Sequence, residues 1–376
     1  MRLARNPLSD ARARGWLLQA LLIAALLSGF ALLVDNTVQN ITTRHIPVGF
    51  GFLGQTAGFD IEQSLIEWNS ADSVARVILV GLTNTIVAAV AGIVCASLLG
   101  LLVALMRLSP NLLFRGTGAT FVGLVRNVPL LLLVFFMYSA VLRSLPPPRA
   151  SWNIARTAFL NVRGLYLPKP IIPHAGLLWL GLAVATAACG SWLAVTRRRT
   201  LRPVFFAAAA LALVAAATRL QISFDYPRLA GFNFIGGLHL FPEFVALVAA
   251  LSIGEAAYIA EVIRAGVLSV GRGQTEAAHA LGMGRLQIIR NIVFPQALPV
   301  IIPPLTSEYL SLTKATSLGV AIAFPDLVQV FSGIVLSRVG HEIEVMLITM
   351  SIYLALSLLT SAFMNWYNGR VSLVES

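Results

Sequence analysis

Long apolar runs separated by short polar segments make up most of this chain. A helix needs about 20 predominantly apolar residues to cross the hydrocarbon core of a bilayer, and about eight runs reach that length. They lie near residues 15–34, 77–106, 117–142, 174–196, 203–222, 242–263, 297–323 and 343–366. The pattern therefore predicts an all-α integral membrane protein with about eight transmembrane helices.

Composition supports this class. Of the 376 residues, 57% are hydrophobic and 11% are charged, whereas soluble proteins average about 25% charged residues. The chain cannot cover a water-facing surface, so we expect it to lie in a lipid bilayer. Its net charge of +11 does not indicate nucleic-acid binding, because the basic residues are scattered through short loops. Cys95 and Cys189 lie inside apolar runs, where a thiol is typically a small core side chain rather than half of a disulfide.

The arginines predict the orientation of the helices. The first apolar run is too long for a signal peptide, and no small-residue cleavage site precedes Asp35, so we interpret the run as a retained anchor. With a cytoplasmic N-terminus, most basic loops fall on the cytoplasmic side, in agreement with the positive-inside tendency. These loops contain Arg107, Arg115, the run 197–202, Arg264, Arg272, Arg285 and Arg290. An even number of spans then places both termini in the cytoplasm.

We divide the chain into four parts. An N-terminal anchor with a far-side segment covers 1–76, and a first core part covers 77–142. A loop with a two-span insert follows over 143–235. The second core part covers 236–376 and contains a polar loop at 271–297.

Two far-side segments leave alternatives open. The first, 35–75, forms either a short interfacial helix or an irregular loop. Its apolar set consists of Phe59, Ile61, Leu65, Ile66 and Trp68. The second, 143–173, carries basic residues on the wrong side, so either it has a structure of its own or the span count is wrong by one nearby. Its prolines predict extended backbone at its start.

The polar loop reads "RGQTEAAHALGMGRLQIIRNIVFPQALP". Thr275 is expected to cap a short helix whose first turn carries Glu276. Ala277 and Ala278 then offer a surface without bulk, which a partner can approach closely. Gly282 permits a sharp turn that other residues resist.

A second short helix is expected after this turn. Its apolar stripe consists of Leu286, Ile289, Ile292 and Val293. Pro295 is expected to end it. The loop is thus predicted to be two short helices joined at a glycine.

The spacing of this loop is E-A-A-x3-G-x9-I-x2-P, from Glu276 to Pro295. It resembles the cytoplasmic loop of permease subunits of bacterial ABC importers, in which the loop forms the coupling helix that docks on the ATPase. The resemblance implies an inner-membrane location, an ATPase dimer that binds ATP and Mg, a periplasmic amino-acid-binding protein and a second permease subunit in a heterodimer. The residues implied in ATPase coupling are Gln274, Thr275, Glu276, Ala277, Ala278, Gly282, Ile292 and Pro295.

Other segments narrow the resemblance. "RNVPLLLLVFFMY" (126–138) and "AAYIAEVIRAGVLSVGRGQ" (256–274) look like the polar amino-acid branch, although Val128 stands where threonine is commoner. "FLNVRGLYLP" (159–168) resembles larger permeases of broad-specificity L-amino-acid importers, which carry acidic amino acids and their amides. The resemblance implies the type I ABC importer permease fold, called MetI-like.

Catalytic motifs are absent from the sequence. The only lysines, Lys169 and Lys314, do not follow a glycine, so no P-loop is present. The five histidines form no H-E-x-x-H motif, and we expect no metal, cofactor or enzymatic activity in this chain. An ion-driven secondary amino-acid transporter remains the alternative, although we find no internal copy of the kind that inverted repeats leave.

Ionisable groups at membrane depth are candidates for a substrate path. Arg126 and Asn127 precede Pro129, which should kink the helix and free a carbonyl group. Arg126 could bind a substrate carboxylate, or it could contact a helix-end carbonyl or the membrane interface. Glu255 could bind an amino group or contact the partner permease.

Two further charged residues have structural alternatives. Glu261 can pair with Arg264, three residues along the same helical face, and we favour this pairing over ligand contact. Lys314 could be tied to a carbonyl or carboxylate group, or it could belong to a gate.

Overall fold

The computed structural model describes residues 11–44, 47–154, 157–171, 207, 210–211 and 223–371. Ten α-helices occur in these ranges. They are α1 (Ala11–Thr43), α2 (Val74–Leu108), α3 (Leu112–Val125), α4 (Leu130–Phe135), α5 (Pro242–Leu268), α6 (Arg272–Ala280), α7 (Arg285–Ile288), α8 (Phe294–Ala315), α9 (Leu336–Val339) and α10 (Glu342–Val371). Wider π turns extend over Phe136–Val141, Ile289–Val293 and Val328–Val335.

Helices that could cross a membrane match six of the eight predicted runs. Among the described residues, five helices are long and apolar enough, and a bent helix pair makes a sixth candidate. The five are Arg14–Thr43, Val74–Leu108, Pro242–Leu268, Arg285–Ile322 and Glu342–Gly369. The runs predicted at 174–196 and 203–222 lie almost wholly outside the described residues.

The run predicted as one span at 117–142 is instead broken in two. Leu112–Val125 and Leu130–Ser144 meet at an angle of 104°. Pro129, with ψ 131°, is extended, and its ring disfavours the helical conformation at the preceding residue. The kink predicted at Pro129 is confirmed, and the run remains a candidate span that is bent at this proline.

One compact unit comprises the described residues up to Leu82 together with Leu327–Ala355. Its core contains Phe52, Val77 and Phe331. The segment before α2 is irregular, with one short 3₁₀ turn at Gly51–Gly54, so the loop alternative is the observed one. Arg338 holds this segment by donating a hydrogen bond of 2.9 Å to the carbonyl oxygen of Gly58.

The second compact unit comprises Thr83–Asp326 and the described residues from Leu356 onward. Helix α5 is its centre, and its buried side chains include Leu247, Leu251 and Ile259. Gly100 on α2 packs against this helix, and its lack of a side chain allows the close contact. Small residues let helices approach closely where lipid provides no hydrophobic driving force.

Eight short strands that the all-α prediction omitted occur among the described residues, seven in the insert and the eighth directly after it. They are β1 (Trp152–Ile154), β2 (Ala158–Asn161), β3 (Gly164–Leu167), β4 (Lys169–Ile171), β5 (Ser223–Asp225), β6 (Arg228–Ala230), β7 (Asn233–Ile235) and β8 (Leu238–Leu240). An antiparallel sheet has the order β1-β2-β3-β8, while β4–β5 and β6–β7 are separate pairs. The basic segment 143–173 therefore has a structure of its own, which is the first of the two alternatives given for it.

An aromatic cluster forms the core of this sheet. The Tyr166 ring is 2% exposed and lies 4.8 Å from the Phe234 ring and 4.3 Å from the His239 ring. Burial raises the pKa of the Tyr166 phenol, because desolvation disfavours the charged phenolate. The next aromatic residue, Phe241, packs against His239 with tilted rings whose centres are 4.3 Å apart. Phe241 directly precedes α5, so the sheet is attached to the first turn of that helix.

Replacing Gly100 by valine should destabilise the packing of α2 on α5. A Cβ atom at this position would lie 2.7 Å from Cγ2 of Ile259 and 3.1 Å from the carbonyl oxygen of Ala256. We expect Gly100→Val to lower the free energy of unfolding by about 1–3 kcal/mol, the usual effect of overpacking a core. Thermal unfolding in detergent measures this loss. Gly116→Val on α3 is the control, because its Cβ would meet no atom within 4 Å; equal losses in both variants would contradict the close contact.

Candidate functional site

A cavity of about 390 Å³ opens where the helix breaks between α3 and α4. Its wall is formed by the residues around Pro129 and by the middle of α5. The lining residues are Val125, Arg126, Asn127, Val128, Pro129, Leu130, Leu133, Gly254, Glu255 and Tyr258. The structure thus brings together four of the residues predicted for a substrate path: Arg126, Asn127, Pro129 and Glu255.

Charged groups of both signs surround this cavity. Glu255 is 5% exposed, and its Oε2 atom has no hydrogen-bond partner among the described residues. Its carboxyl group interacts with that of Glu308 on α8, and Glu308 also interacts with Arg126. The guanidinium carbon of Arg126 lies 4.7 Å from the centre of the Tyr258 ring. The cavity lining therefore contains one cation, one carboxyl group and an aromatic ring. A second carboxyl group, that of Glu308, lies outside the lining and interacts with both charged groups.

Sequence reasoning missed two members of this cluster, Glu308 and Tyr258. Glu308 is an ionisable residue inside an apolar run, so the rule that selected Glu255 would also have found it. Tyr258 carried no such signal, because an aromatic residue on a membrane helix is ordinary. Its contact with Arg126 depends on the fold.

Asn127 has a local structural contact. Its side-chain amide donates a hydrogen bond of 2.6 Å to the carbonyl oxygen of Gly123, near the end of α3. The end of a helix leaves carbonyl groups without intrahelical partners. Asn127 therefore stabilises the break on which the cavity depends, in addition to lining it.

Glu261 lies outside the cavity and pairs with two arginines. Arg264 donates from Nε to Oε2 of Glu261 at 3.1 Å, as the spacing of three residues predicted. Arg107, in the last turn of α2, pairs with the same carboxylate. This ion cluster ties α2 to α5, and the participation of Arg107 was not predicted.

Lys314 also lies outside the cavity lining. It occupies the last turn of α8, and its side chain is exposed. The predicted substrate path therefore divides into four residues that share one cavity and two, Glu261 and Lys314, that do not.

The first helix of the polar loop begins earlier than predicted. Helix α6 starts at Arg272, and Gly271, with ψ 136°, precedes it. Thr275 consequently lies inside the helix, where its hydroxyl group donates a hydrogen bond of 2.7 Å to the carbonyl oxygen of Arg272. The predicted cap at Thr275 is wrong, as is the first-turn position of Glu276, because Gly271 can adopt the extended conformation before the helix.

The glycine turn of the loop is confirmed. Gly282 has φ +78°, a left-handed conformation that glycine adopts without a steric penalty. Its amide donates to the carbonyl oxygen of His279 at 2.9 Å, and the amide of Met283 donates to that of Ala278 at 3.1 Å. These two bonds form the Schellman arrangement that satisfies the end of a helix.

The second helix of the loop does not end at Pro295. Helix α7 continues through the π turn at Ile289–Val293 into α8, and Pro295 lies in the first turn of α8. The wider π turn shifts the hydrogen-bond register, so the chain continues past a residue that lacks an amide hydrogen. The loop is therefore joined to a continuous membrane helix, Arg285–Ile322.

The polar loop has a small buried core and an exposed side. Ala278, Ile288 and Val293 are buried together, so Ala278 packs inward rather than offering a surface. Leu281 and Leu286 are 82% and 77% exposed. Of the predicted apolar stripe, Leu286 and Ile289 are therefore exposed, whereas Val293 is buried. The exposed residues of the loop include Gln274, Glu276, Ala277, Leu281, Leu286 and Ile289.

Comparison with known proteins places the chain in a family. Residues 180–373 match the family described as binding-protein-dependent transport system inner membrane component. The chain belongs to this family. Its fold is the type I ABC importer permease fold, called MetI-like, and the chain is a multi-pass inner-membrane transport component.

Three relatives of this permease match over nearly their full length. The putative amino-acid ABC transporter permease protein YhdX of Escherichia coli (strain K12) is 43% identical, over 96% of this chain and 95% of the relative. The general L-amino acid transport system permease protein AapQ of Rhizobium johnstonii is 41% identical, over 99% and 95%. The glutamate/glutamine/aspartate/asparagine transport system permease protein BztB of Rhodobacter capsulatus is 34% identical, over 97% and 95%.

Replacing Glu261 by glutamine should destabilise this permease, because Arg107 and Arg264 lose their shared anion. The side chains are between 18% and 28% exposed, so we expect a loss of about 1–2 kcal/mol, between the values for surface and buried pairs. Thermal unfolding in detergent measures it. Adding Arg107→Gln should recover part of the loss by removing one unpaired cation. A double variant less stable than Glu261→Gln would contradict the ion cluster.

Proposed function

We propose that this permease subunit translocates polar L-amino acids, including acidic amino acids and their amides, across the inner membrane in an ATP-driven importer. The observation that carries the proposal is the cavity beside Pro129, which is lined by the guanidinium group of Arg126 and the carboxyl group of Glu255, with the carboxyl group of Glu308 interacting with both. An amino acid has a carboxylate and an ammonium group on one carbon, so it is complementary to such a cluster. The names of the relatives YhdX, AapQ and BztB support the same substrate class.

Each charged residue has a role in this proposal. Arg126 binds the substrate carboxylate, because a guanidinium group donates two parallel hydrogen bonds to a carboxylate. Glu255 and Glu308 bind the ammonium group, which also satisfies the unpartnered Oε2 atom of Glu255. The volume of about 390 Å³ lies near the lower limit of about 300 Å³ for ligand pockets, as expected for a small substrate.

The polar loop is the docking surface for a separate ATPase dimer in this proposal. Helix α6 presents Glu276 and Ala277, and the glycine turn presents Leu281, on the exposed side of the loop. Docking on this side places the loop and both termini in the cytoplasm. The ATPase binds ATP and Mg, a periplasmic protein delivers the amino acid, and a second permease subunit completes a heterodimer.

Motion reaches the cavity along two membrane helices. The loop continues into α8, which carries Glu308, and it follows α5, which carries Glu255. When ATP closes the ATPase dimer, a shift of the loop tilts both helices and opens the cavity outward; hydrolysis reverses the shift. An ion-driven carrier would need no such loop, and membership of a binding-protein-dependent family does not favour it.

Replacing Arg126 by alanine should slow uptake. A hydrogen bond to a charged group contributes about 1.5–3 kcal/mol, so we expect uptake to fall by about tenfold or more. The measurement is the initial rate of labelled glutamate uptake by proteoliposomes that contain the whole assembly and saturating binding protein.

Arg115→Ala is the control for this variant, because Arg115 is also exposed on α3 but does not line the cavity. It should transport normally. If Arg126→Ala assembles and transports like Arg115→Ala, Arg126 does not bind substrate. If Arg126→Ala fails only in assembly, its role is structural.

Replacing Gly282 by valine should uncouple the ATPase. The Cβ of a residue here would meet no atom within 4 Å, so the only penalty is the left-handed backbone, about 1–3 kcal/mol. We expect the variant to insert normally, to bind the ATPase less tightly and to lose uptake. Copurification of the ATPase and uptake by proteoliposomes measure these effects.

Gly284→Val is the matched control, since Gly284 has φ −70°, which valine adopts readily. This control should bind the ATPase and transport. Unchanged uptake by Gly282→Val with a normally bound ATPase would count against the loop as the docking surface.

A further inference from the structure

The strands β4 to β7 expose an unusual amount of apolar surface for so short a segment. Six large hydrophobic side chains here are between 44% and 72% exposed. They are Ile171, Phe224, Tyr226, Leu229, Phe232 and Ile235. Exposed apolar patches of this kind mark contacts with proteins or membranes.

The pairing of β4 with β5 indicates that this patch contacts the membrane. Ile171 lies opposite Ser223, so the chain leaves and returns at one place. Between them, almost wholly outside the described residues, are the apolar runs 174–196 and 203–222, each long enough to cross a bilayer. The β4–β5 pair therefore stands where two predicted spans meet the membrane surface.

The dimensions agree with a position among lipid headgroups. The three residues of β5 extend about 7 Å from Ser223. The headgroup layer on each side of the hydrocarbon core is about 5–7 Å thick. Phe224 and Tyr226 then fall within or beside this layer, where aromatic residues of membrane proteins are enriched.

Basic residues accompany the apolar ones. Arg149 lies with its guanidinium carbon 4.0 Å from the centre of the Phe232 ring, and its Nε donates to the carbonyl oxygen of Gly231 at 3.2 Å. Arg228 is exposed at the start of β6. Arginine pairs well with phosphate groups, so this combination fits the boundary between lipid tails and headgroups.

We propose that β4 to β7 form an interfacial anchor that lies on the bilayer. Phe224, Phe232 and Ile235 insert among the lipid headgroups. Arg149 and Arg228 bind lipid phosphates. The anchor fixes the sheet, and with it the first turn of α5, at the membrane surface, and it does not depend on which substrate is transported.

Spin labels on cysteines at positions 224 and 232 test this anchor. Phe224→Cys and Phe232→Cys are made singly in a full chain carrying Cys95→Ala and Cys189→Ala, and are reconstituted in vesicles of phosphatidylethanolamine and phosphatidylglycerol. Oxygen concentrates in lipid, whereas a nickel chelate stays in water. We expect oxygen to relax both labels more strongly than the nickel chelate does.

Asn153→Cys is the control, because Asn153 is polar and exposed on the edge strand β1. Its label should respond more strongly to the nickel chelate. If the labels at positions 224 and 232 also respond more strongly to the nickel chelate than to oxygen, as a water-exposed label at position 153 does, the proposal is overturned. Protection of 224 and 232 only after the binding protein is added would also overturn it, in favour of a protein-docking surface.

The arginines are tested in the Phe232→Cys background. Arg149→Gln together with Arg228→Gln should increase the accessibility of the label to the nickel chelate, because the anchor loses the two side chains that bind lipid phosphates. Unchanged accessibility would exclude phosphate binding by these two residues.

Discussion

An ionisable group inside a bilayer must find a partner within the protein, because lipid offers none. Helix α5 carries several such groups, and two of its carboxyl groups are satisfied in different ways. Glu261 is shared between Arg264 and Arg107, which fixes α2 against α5. Glu255 is only partly satisfied, by Glu308. The first arrangement is structural, whereas the second leaves a carboxylate oxygen free for a ligand.

The same helix connects three features that would otherwise be separate. Its first turn is attached to the aromatic core of the sheet, its middle lines the cavity, and its last turn leads into the polar loop. The opposite wall of the cavity exists because Pro129 interrupts the preceding helix. Unlike a straight helix, a broken one allows polar backbone and side-chain groups to lie at membrane depth around a cavity. The cavity and the loop are therefore parts of one connected element.

Much of this could be predicted from sequence, for identifiable reasons. The long apolar runs, the kink at Pro129, the pair Glu261–Arg264 and the turn at Gly282 depend on local pattern and spacing. Contacts between distant segments could not be predicted, and these include Arg107 with Glu261 and Arg126 with Tyr258. Two predictions made from local sequence, the cap at Thr275 and the helix end at Pro295, were wrong. A glycine rather than Thr275 precedes α6, and a π turn carries the helix past Pro295. The strands of the insert are three or four residues long, too short for periodicity to reveal them.

The central claim is that movement of the polar loop changes access to the cavity beside Pro129. The most direct measurement places a cysteine at Val128, which lines the cavity and is 46% exposed, in the complete assembly without other reactive thiols. The rate of reaction with a membrane-impermeant thiol reagent added from outside is compared with and without a non-hydrolysable ATP analogue. The account predicts a faster reaction with the analogue, and loss of this increase when Gly282 is replaced by valine. A rate that is the same in both nucleotide states would contradict it.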